Sequence, residues 1–177
     1  MNLVIFRLGD MMNFQNFRSD LATESLEQLK QGKHYDRFVT SYQHVQVETI
    51  KILQEHPSIN QKVGTYIEIS FQDYMYQQDI VAALANSLKP LIDQIDYPKI
   101  LVVGLGNRFL TNDAIGPRTL RDLRITHYLD DETKLNNHYY DVLGIVPGVM
   151  IQTGMESSDV VKALVASQQI DLVIVVD

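Results

Sequence analysis

The second half of the chain alternates between short apolar runs and more polar segments. The runs at 100–103, 139–146 and 170–176 predict buried strands, and the segments at 114–128 and 157–167 predict helices. Strands and helices that alternate in this way form a parallel sheet with right-handed crossovers and helices on both faces. We therefore predict that the first and last of these strands are parallel neighbours in one sheet.

The first half has a different pattern. Polar and apolar residues alternate over 36–70, which predicts extended structure, and 72–95 has apolar residues at helical spacing. A short helix is predicted at 23–30. The whole pattern predicts an α/β fold, a three-layer α/β/α arrangement with a mostly parallel central sheet, preceded by an N-terminal extended region. We divide the chain into an N-terminal extension, 1–35, and one α/β domain, 36–177.

Composition excludes several classes of function. The net charge is −7 with no basic run, which argues against binding to a nucleic-acid backbone. The 177 residues include no cysteine, so disulfides, thiolate nucleophiles and Cys-based zinc sites are excluded. The five histidines show no metal-ligand spacing. No apolar run approaches the roughly 18 residues that a membrane span needs. Met11 and Met12 are candidates for the natural start, as an alternative to Met1.

Two aspartates follow the first and last of these strands. Asp113 lies beyond the strand and its glycine turn, and Asp177 follows the uncharged run 172–176. Asp113 alone is best interpreted as the N-cap of a helix that begins at Ala114. Asp177 favours a functional interpretation, because carboxyl ends of parallel strands form the edge where ligands bind. Two carboxylates within about 4–6 Å share a proton, as in aspartic proteases.

Two other segments have competing interpretations. Gly104-Leu-Gly106 follows a strand, but Phe109 occupies the position of the third glycine in a dinucleotide-binding loop, so a tight turn is favoured. The segment 147–159 is predicted to be a long loop before a helix. Thr153 and Glu156 fit a capping box there, with Ser157 or Ser158 as alternative caps, whereas a functional loop would turn Gln152 or Thr153 toward a substrate. Residues 130–134 are predicted to form a solvated loop.

Four motifs resemble the germination protease family, whose members are atypical aspartic-type endopeptidases of spores. The similarity runs in the same order from about Phe17 to the end of the sequence. The matching segments are Phe17-Arg-Ser-Asp-Leu-Ala22, Val63-Gly-Thr-Tyr-Ile-Glu68, 102–117 with its Gly-Leu-Gly-Asn and Asp-Ala-Ile-Gly-Pro, and 145–162.

The resemblance implies a function and a set of site residues. It implies cleavage of small acid-soluble spore proteins at germination, in the cytoplasm of the spore core, by a homotetramer made from an inactive precursor with an N-terminal propeptide. The family's proposed catalytic aspartates correspond to Asp113 and Asp177. Candidates for substrate binding lie in the two longest motifs: Asn107, Gln152, Thr153 and Gly154.

Two alternatives stay open. The chain resembles only about the first half of family members, so it is also interpreted as a truncated, non-catalytic homologue that binds or oligomerises, and we expect little activity from 177 residues. Hydrogenase-maturation endopeptidases share the glycine turn and depend on a metal. They carry an acidic residue where this chain has Ala114. We therefore expect no cofactor and no tightly bound zinc or nickel.

Overall fold

The structure is a computed structural model that describes residues 32–55 and 63–177, together with the backbone of 3–7. The strands are β1 Leu3–Arg7, β2 Tyr35–Tyr42, β3 Val45–Ile52, β4 Gly64–Phe71, β5 Lys99–Gly104, β6 Asp141–Ile145 and β7 Leu172–Val176. The α-helices are α1 Gln77–Ile92, α2 Ile115–Asp122, α3 Asp131–Asn136, α4 Met150–Thr153 and α5 Ser157–Gln168. The chain divides into two compact units, 16–94 and 95–177 with 1–15.

The unit 16–94 contains a three-stranded antiparallel sheet in the order β2-β3-β4. Val45 and Val47 of the central strand form a buried cluster with Ala83 of α1. Ile50 and Ile52, at even positions of the same strand, belong to a separate buried cluster, because successive side chains point to opposite faces. The predicted extended structure is confirmed in β2, β3 and β4, and the following helix is confirmed as α1; residues 56–62 of the predicted segment lie outside the described residues.

The other unit contains a four-stranded mixed sheet in the order β1-β7-β5-β6. Strand β5 is parallel to both β6 and β7, with Ile100 opposite Leu172 and Gly104 opposite Val176. This confirms that the first and last predicted strands are parallel neighbours. Strand β1 adds an antiparallel edge beside β7.

Helices cover both faces of this sheet. Val161 and Val165 of α5 pack against Leu101 and Val103 on one face. Helix α2 lies on the other face, where the glycines of β5 and β6 leave room for the Leu120 side chain. The expected α/β/α layering is confirmed, and the buried runs of β5 and β7 are typical of central parallel strands. No helix among the described residues is long and apolar enough to cross a membrane.

Three local predictions need comment. The helix predicted over 114–128 ends at Asp122, because the main chain then pairs with β6: the N–H groups of Thr126 and His127 both donate to the Val142 carbonyl, at 3.1 Å each. The solvated loop predicted at 130–134 is wrong, since helix α3 starts there with Asp130 as its N-cap. The short helix predicted at 23–30 lies outside the described residues.

Candidate active site

Three parallel strands end together at one edge of the sheet. The register pairs Val103 with Ile145 and Gly104 with Val176, so the loops after β5 and β6 and the residue after β7 all start from this edge. The ladder continues one step farther, because the Leu105 N–H donates to the Val176 carbonyl at 2.9 Å. In an open parallel sheet, this edge is where ligands bind.

The loop after β5 closes on Asp113. The Asn107 N–H donates both to the Asp113 carboxylate, at 2.9 Å, and to the Asp113 carbonyl, at 2.7 Å. The Asn107 side-chain oxygen accepts from the Phe109 N–H at 3.0 Å. Asp113 is therefore half-buried, with one carboxylate oxygen in a fixed hydrogen bond. The backbone of Asn107, which was predicted as a substrate-binding residue, therefore holds Asp113 in place.

The expected capping role of Asp113 is wrong. Helix α2 begins at Ile115, its N-cap residue is Ala114, and no side chain makes the cap hydrogen bond. A 3₁₀ turn, Thr111–Asp113, separates Asp113 from the helix, which frees its carboxylate to close the loop instead. The competing structural interpretation of Asp113 as a helix cap is thereby removed.

Glycines bring this loop against the end of β7. Gly106 has φ +111° and lies against the Asp113 carbonyl and carboxylate so closely that no side chain fits there. Gly116, in the first turn of α2, lies against Leu105 and against the Val176 carbonyl, which would be 2.6 Å from an added Cβ. The start of α2 thus packs closely against the ends of β5 and β7. Its contact on β7, Val176, directly precedes Asp177.

Asp177 is exposed and follows the buried residues Val175 and Val176. Because Val176 is opposite Gly104, the backbone of Asp177 lies beside Leu105, about one strand spacing of ~4.8 Å away. Leu105 and Gly106 connect this position to the Asp113 loop. Both predicted catalytic aspartates therefore belong to the same edge of the sheet.

The loop after β6 contains the other predicted site residues. A short helix, α4, lies within the predicted loop and ends at Thr153, followed by Gly154 as its C-cap residue with φ +70°. The Thr153 hydroxyl accepts from the Met155 N–H at 3.2 Å, so it shapes the loop, whereas Gln152 is exposed.

The expected capping box is wrong. Glu156 is the N-cap residue of α5 and makes no side-chain cap bond, and the Ser157 hydroxyl donates to the Gly148 carbonyl at 3.1 Å.

Comparison with known proteins decides the family. The germination protease family model matches residues 13–177. Germination proteases of Clostridium perfringens strain SM101 and of Bacillus velezensis are 32% and 30% identical to this chain, over 92% and 90% of its length. The germination protease of Clostridium tetani is 30% identical over 90%. The chain belongs to the germination protease family.

The match to the germination protease family has two limits along the chain. It begins at residue 13, so strand β1 lies outside it. The aligned part covers 54%, 54% and 49% of the relatives from C. perfringens, C. tetani and B. velezensis, so the chain spans about half the length of the curated relatives it matches.

Ala114 is the residue that bears on the metal-dependent alternative. Ala114, which stands where hydrogenase-maturation endopeptidases place an acidic residue, is 1% exposed and belongs to the buried interior. Within the described residues, no group of three or more His, Asp or Glu side chains is arranged to hold a metal ion.

Two polar features lie away from this edge. Thr126, only 3% exposed, donates to the Tyr140 carbonyl and accepts from the Val142 N–H, and His127 pairs with Asp141 at 2.9 Å. These residues lie at the start of β6, at the end of the sheet opposite the candidate site. The sequence did not reveal them, because a single Thr belongs to no recognisable motif.

In the unit 16–94, His44 pairs with Asp79 at 2.9 Å and stacks on Tyr76. Asp79 also lines a cavity of about 210 Å³ in that unit, whose residues include no predicted site residue.

Proposed function

We propose that the protein is an endopeptidase that cleaves small acid-soluble spore proteins during germination, with Asp113 and Asp177 activating the attacking water. The observation that supports this most is the edge shared by the two aspartates, with Asp113 half-buried in a loop closed by Asn107. The germination proteases it resembles supply the reaction class. On the resemblance alone, we also propose a homotetramer, an inactive precursor and location in the spore core.

In the proposed mechanism the two carboxyl groups have opposite roles. One is the base toward water, and the other, in its protonated form, is the acid toward the peptide carbonyl. The Asn107 N–H holds the Asp113 carboxylate in position by a hydrogen bond of 2.9 Å. The base takes a proton from the attacking water while the acid gives its proton to the carbonyl oxygen. When the tetrahedral intermediate collapses, the C–N bond breaks, the base gives its proton to the leaving amine, and the hydroxyl returns a proton to the acid.

Substitution by asparagine tests the dyad. An amide oxygen can still accept from the Asn107 N–H, so Asp113→Asn preserves the loop but can neither take nor share the proton. We expect Asp113→Asn and Asp177→Asn each to reduce cleavage of a purified small acid-soluble spore protein by at least about a thousandfold. The two residues of a catalytic pair act together, so the loss of either one costs about as much as the loss of both. Cleavage is measured at an unchanged melting temperature, in the longest natural form of the protein.

The matched control is Asp122→Asn, an exposed aspartate at the end of α2 that pairs with Arg121. We expect this variant to cleave like the wild type. Wild-type cleavage by Asp113→Asn would disprove the dyad. A folded wild-type protein that cleaves no spore protein would instead favour the non-catalytic homologue.

A further inference from the structure

Hydrogen bonds from three of its own atoms tie Asn107 into the loop between β5 and Asp113. Its carbonyl accepts from the Leu110 N–H at 3.0 Å, and its side-chain oxygen accepts from the Phe109 N–H at 3.0 Å. Its own N–H donates to the carbonyl and to the Oδ2 atom of Asp113, at 2.7 and 2.9 Å. The Leu110 carbonyl accepts in turn from the Asp113 N–H at 2.9 Å. Asn107 therefore connects the start of this loop to its end.

These contacts leave the Asp113 carboxylate little freedom. A single donor, the Asn107 N–H, holds both the main chain and the side chain of Asp113, so a displacement of residue 107 moves both. A Cβ added at Gly106 would lie 2.9 Å from the Oδ1 atom of Asp113, so this second oxygen lies close to the Gly106 backbone. The placement of a catalytic group matters, because a shift of about 1 Å can cost about a hundredfold in rate.

The side chain of Asn107 shapes the backbone that carries this donor. An asparagine oxygen that accepts from the N–H two residues later forms an Asx turn, which takes the place of a backbone turn. Here the turn runs from Asn107 to Phe109. Alanine at position 107 would remove the acceptor but would keep the backbone N–H that contacts Asp113. The contribution of the side chain can therefore be separated from that of the backbone.

We propose that Asn107 is a positioning residue for Asp113: its side chain, through the Phe109 N–H, fixes the loop that holds the Asp113 carboxylate at the edge of the sheet. This inference rests on the proposed catalytic role of Asp113, and it gives the Asn107 side chain a function other than the expected substrate binding. A positioning residue acts on the chemical step, whereas a substrate-binding residue acts on the affinity for the substrate. The two roles therefore predict different kinetics.

Steady-state cleavage of a purified small acid-soluble spore protein distinguishes the two roles. We expect Asn107→Ala to lower kcat at least about tenfold while KM stays within about twofold of the wild-type value, because only the placement of the carboxylate is lost. Asn107→Ser should be at least about threefold faster than Asn107→Ala, since a serine hydroxyl makes the same turn more weakly. The matched control is Asn136→Ala, an exposed change at the end of α3, which should have wild-type kinetics.

Three kinetic results would overturn the proposal. A higher KM for Asn107→Ala with an unchanged kcat would identify a substrate-binding residue. Wild-type values of both constants for Asn107→Ala would show that the side chain has neither role. A serine variant no faster than the alanine variant would show that the turn is not what matters. All variants are measured in the longest natural form of the protein, below the melting temperature of the least stable one.

Amide hydrogen exchange tests the placement of Asp113 without catalysis. The N–H of residue 107 bonds to Asp113, so its protection factor should fall at least about tenfold in Asn107→Ala and less in Asn107→Ser. The N–H of the buried Val103 is the internal reference and should keep its wild-type protection. An unchanged protection factor at residue 107 would overturn the proposal whatever the activity. If the wild-type protein cleaves no spore protein but protection at residue 107 falls as expected, the proposed peptidase function fails, while the hold of Asn107 on Asp113 is confirmed.

Discussion

At the scale of single residues, the glycines of the β5–α2 connection matter for two different reasons. Gly106 fits the prediction of a turn glycine, with φ +111°. Gly104 has ordinary backbone angles, but a Cβ there would lie 2.5 Å from the Gly116 carbonyl, so close approach of the helix requires it. The sequence reveals that a turn is present, whereas the close approach depends on a helix twelve residues away and could not be predicted from the turn alone.

Gly116→Ala separates packing from helix propensity. Gly116 lies in the first turn of α2, where Ala ordinarily stabilises a helix by roughly 0.5–1 kcal/mol relative to Gly. Here the new Cβ meets the Leu105 and Val176 backbone, so we expect a loss of about 1–3 kcal/mol in the free energy of unfolding. Urea denaturation of both proteins measures the sign of the change in the free energy of unfolding. Arg118→Ala, an exposed change in the same helix, is the control and should be near neutral. A stabilised Gly116→Ala variant would contradict this packing.

At the scale of secondary structure, the sequence predicted the strands and long helices well and the short connections poorly. Residues 100–104 of β5 and the whole of β7 are uncharged runs whose apolar pattern predicts burial. The end of α2 was missed because the hydrogen bonds from Thr126 and His127 to β6 depend on tertiary structure. Helix α3 could have been found, since Asp130 followed by two acidic residues and a later lysine is a helix-start signal.

The pH dependence of stability tests the cap of α3. The Thr133 N–H and then the Thr133 hydroxyl donate to Asp130 and hold the pKa of that carboxyl below its usual value. Its stabilising contribution is therefore present above the unfolded-state pKa, about 3.9 for Asp, and is lost as pH falls through the lower folded-state pKa. We expect Asp130→Asn to be less stable than the wild type at pH 7, with the difference shrinking toward pH 2.

Denaturant unfolding of both proteins at several pH values measures that difference. The exposed Asp96 lies outside the described helices, and Asp96→Asn is the control for loss of one negative charge. A difference for Asp130→Asn that stays constant from pH 7 to pH 2 would show that the ionised cap contributes nothing to the fold.

At the scale of the whole molecule, the candidate site is built within one of the two compact units. Strands β5, β6 and β7 and helices α2 and α5 all belong to 95–177, and this unit carries both aspartates. The sequence could indicate this part of the site because Asp113 lies in the connection after one predicted strand and Asp177 directly follows another. The edge strand β1 comes from the other end of the chain, and its pairing with β7 could not be predicted from the order of strands and helices.

Substitutions in the two cores test whether each unit has its own stability. Ile50 and Leu101 are 0% and 2% exposed, and each belongs to a buried cluster within one unit. Ile50→Ala and Leu101→Ala should each cost about 2–5 kcal/mol, because each leaves a cavity in a packed core. If each core stabilises its own unit, amide hydrogen exchange should accelerate in β2–β4 for Ile50→Ala and in β5–β7 for Leu101→Ala. Equal acceleration of all these strands by either variant would show instead that the chain unfolds as one cooperative body, so that a substitution in the unit 16–94 would destabilise the candidate site as much as one in the unit that carries the aspartates.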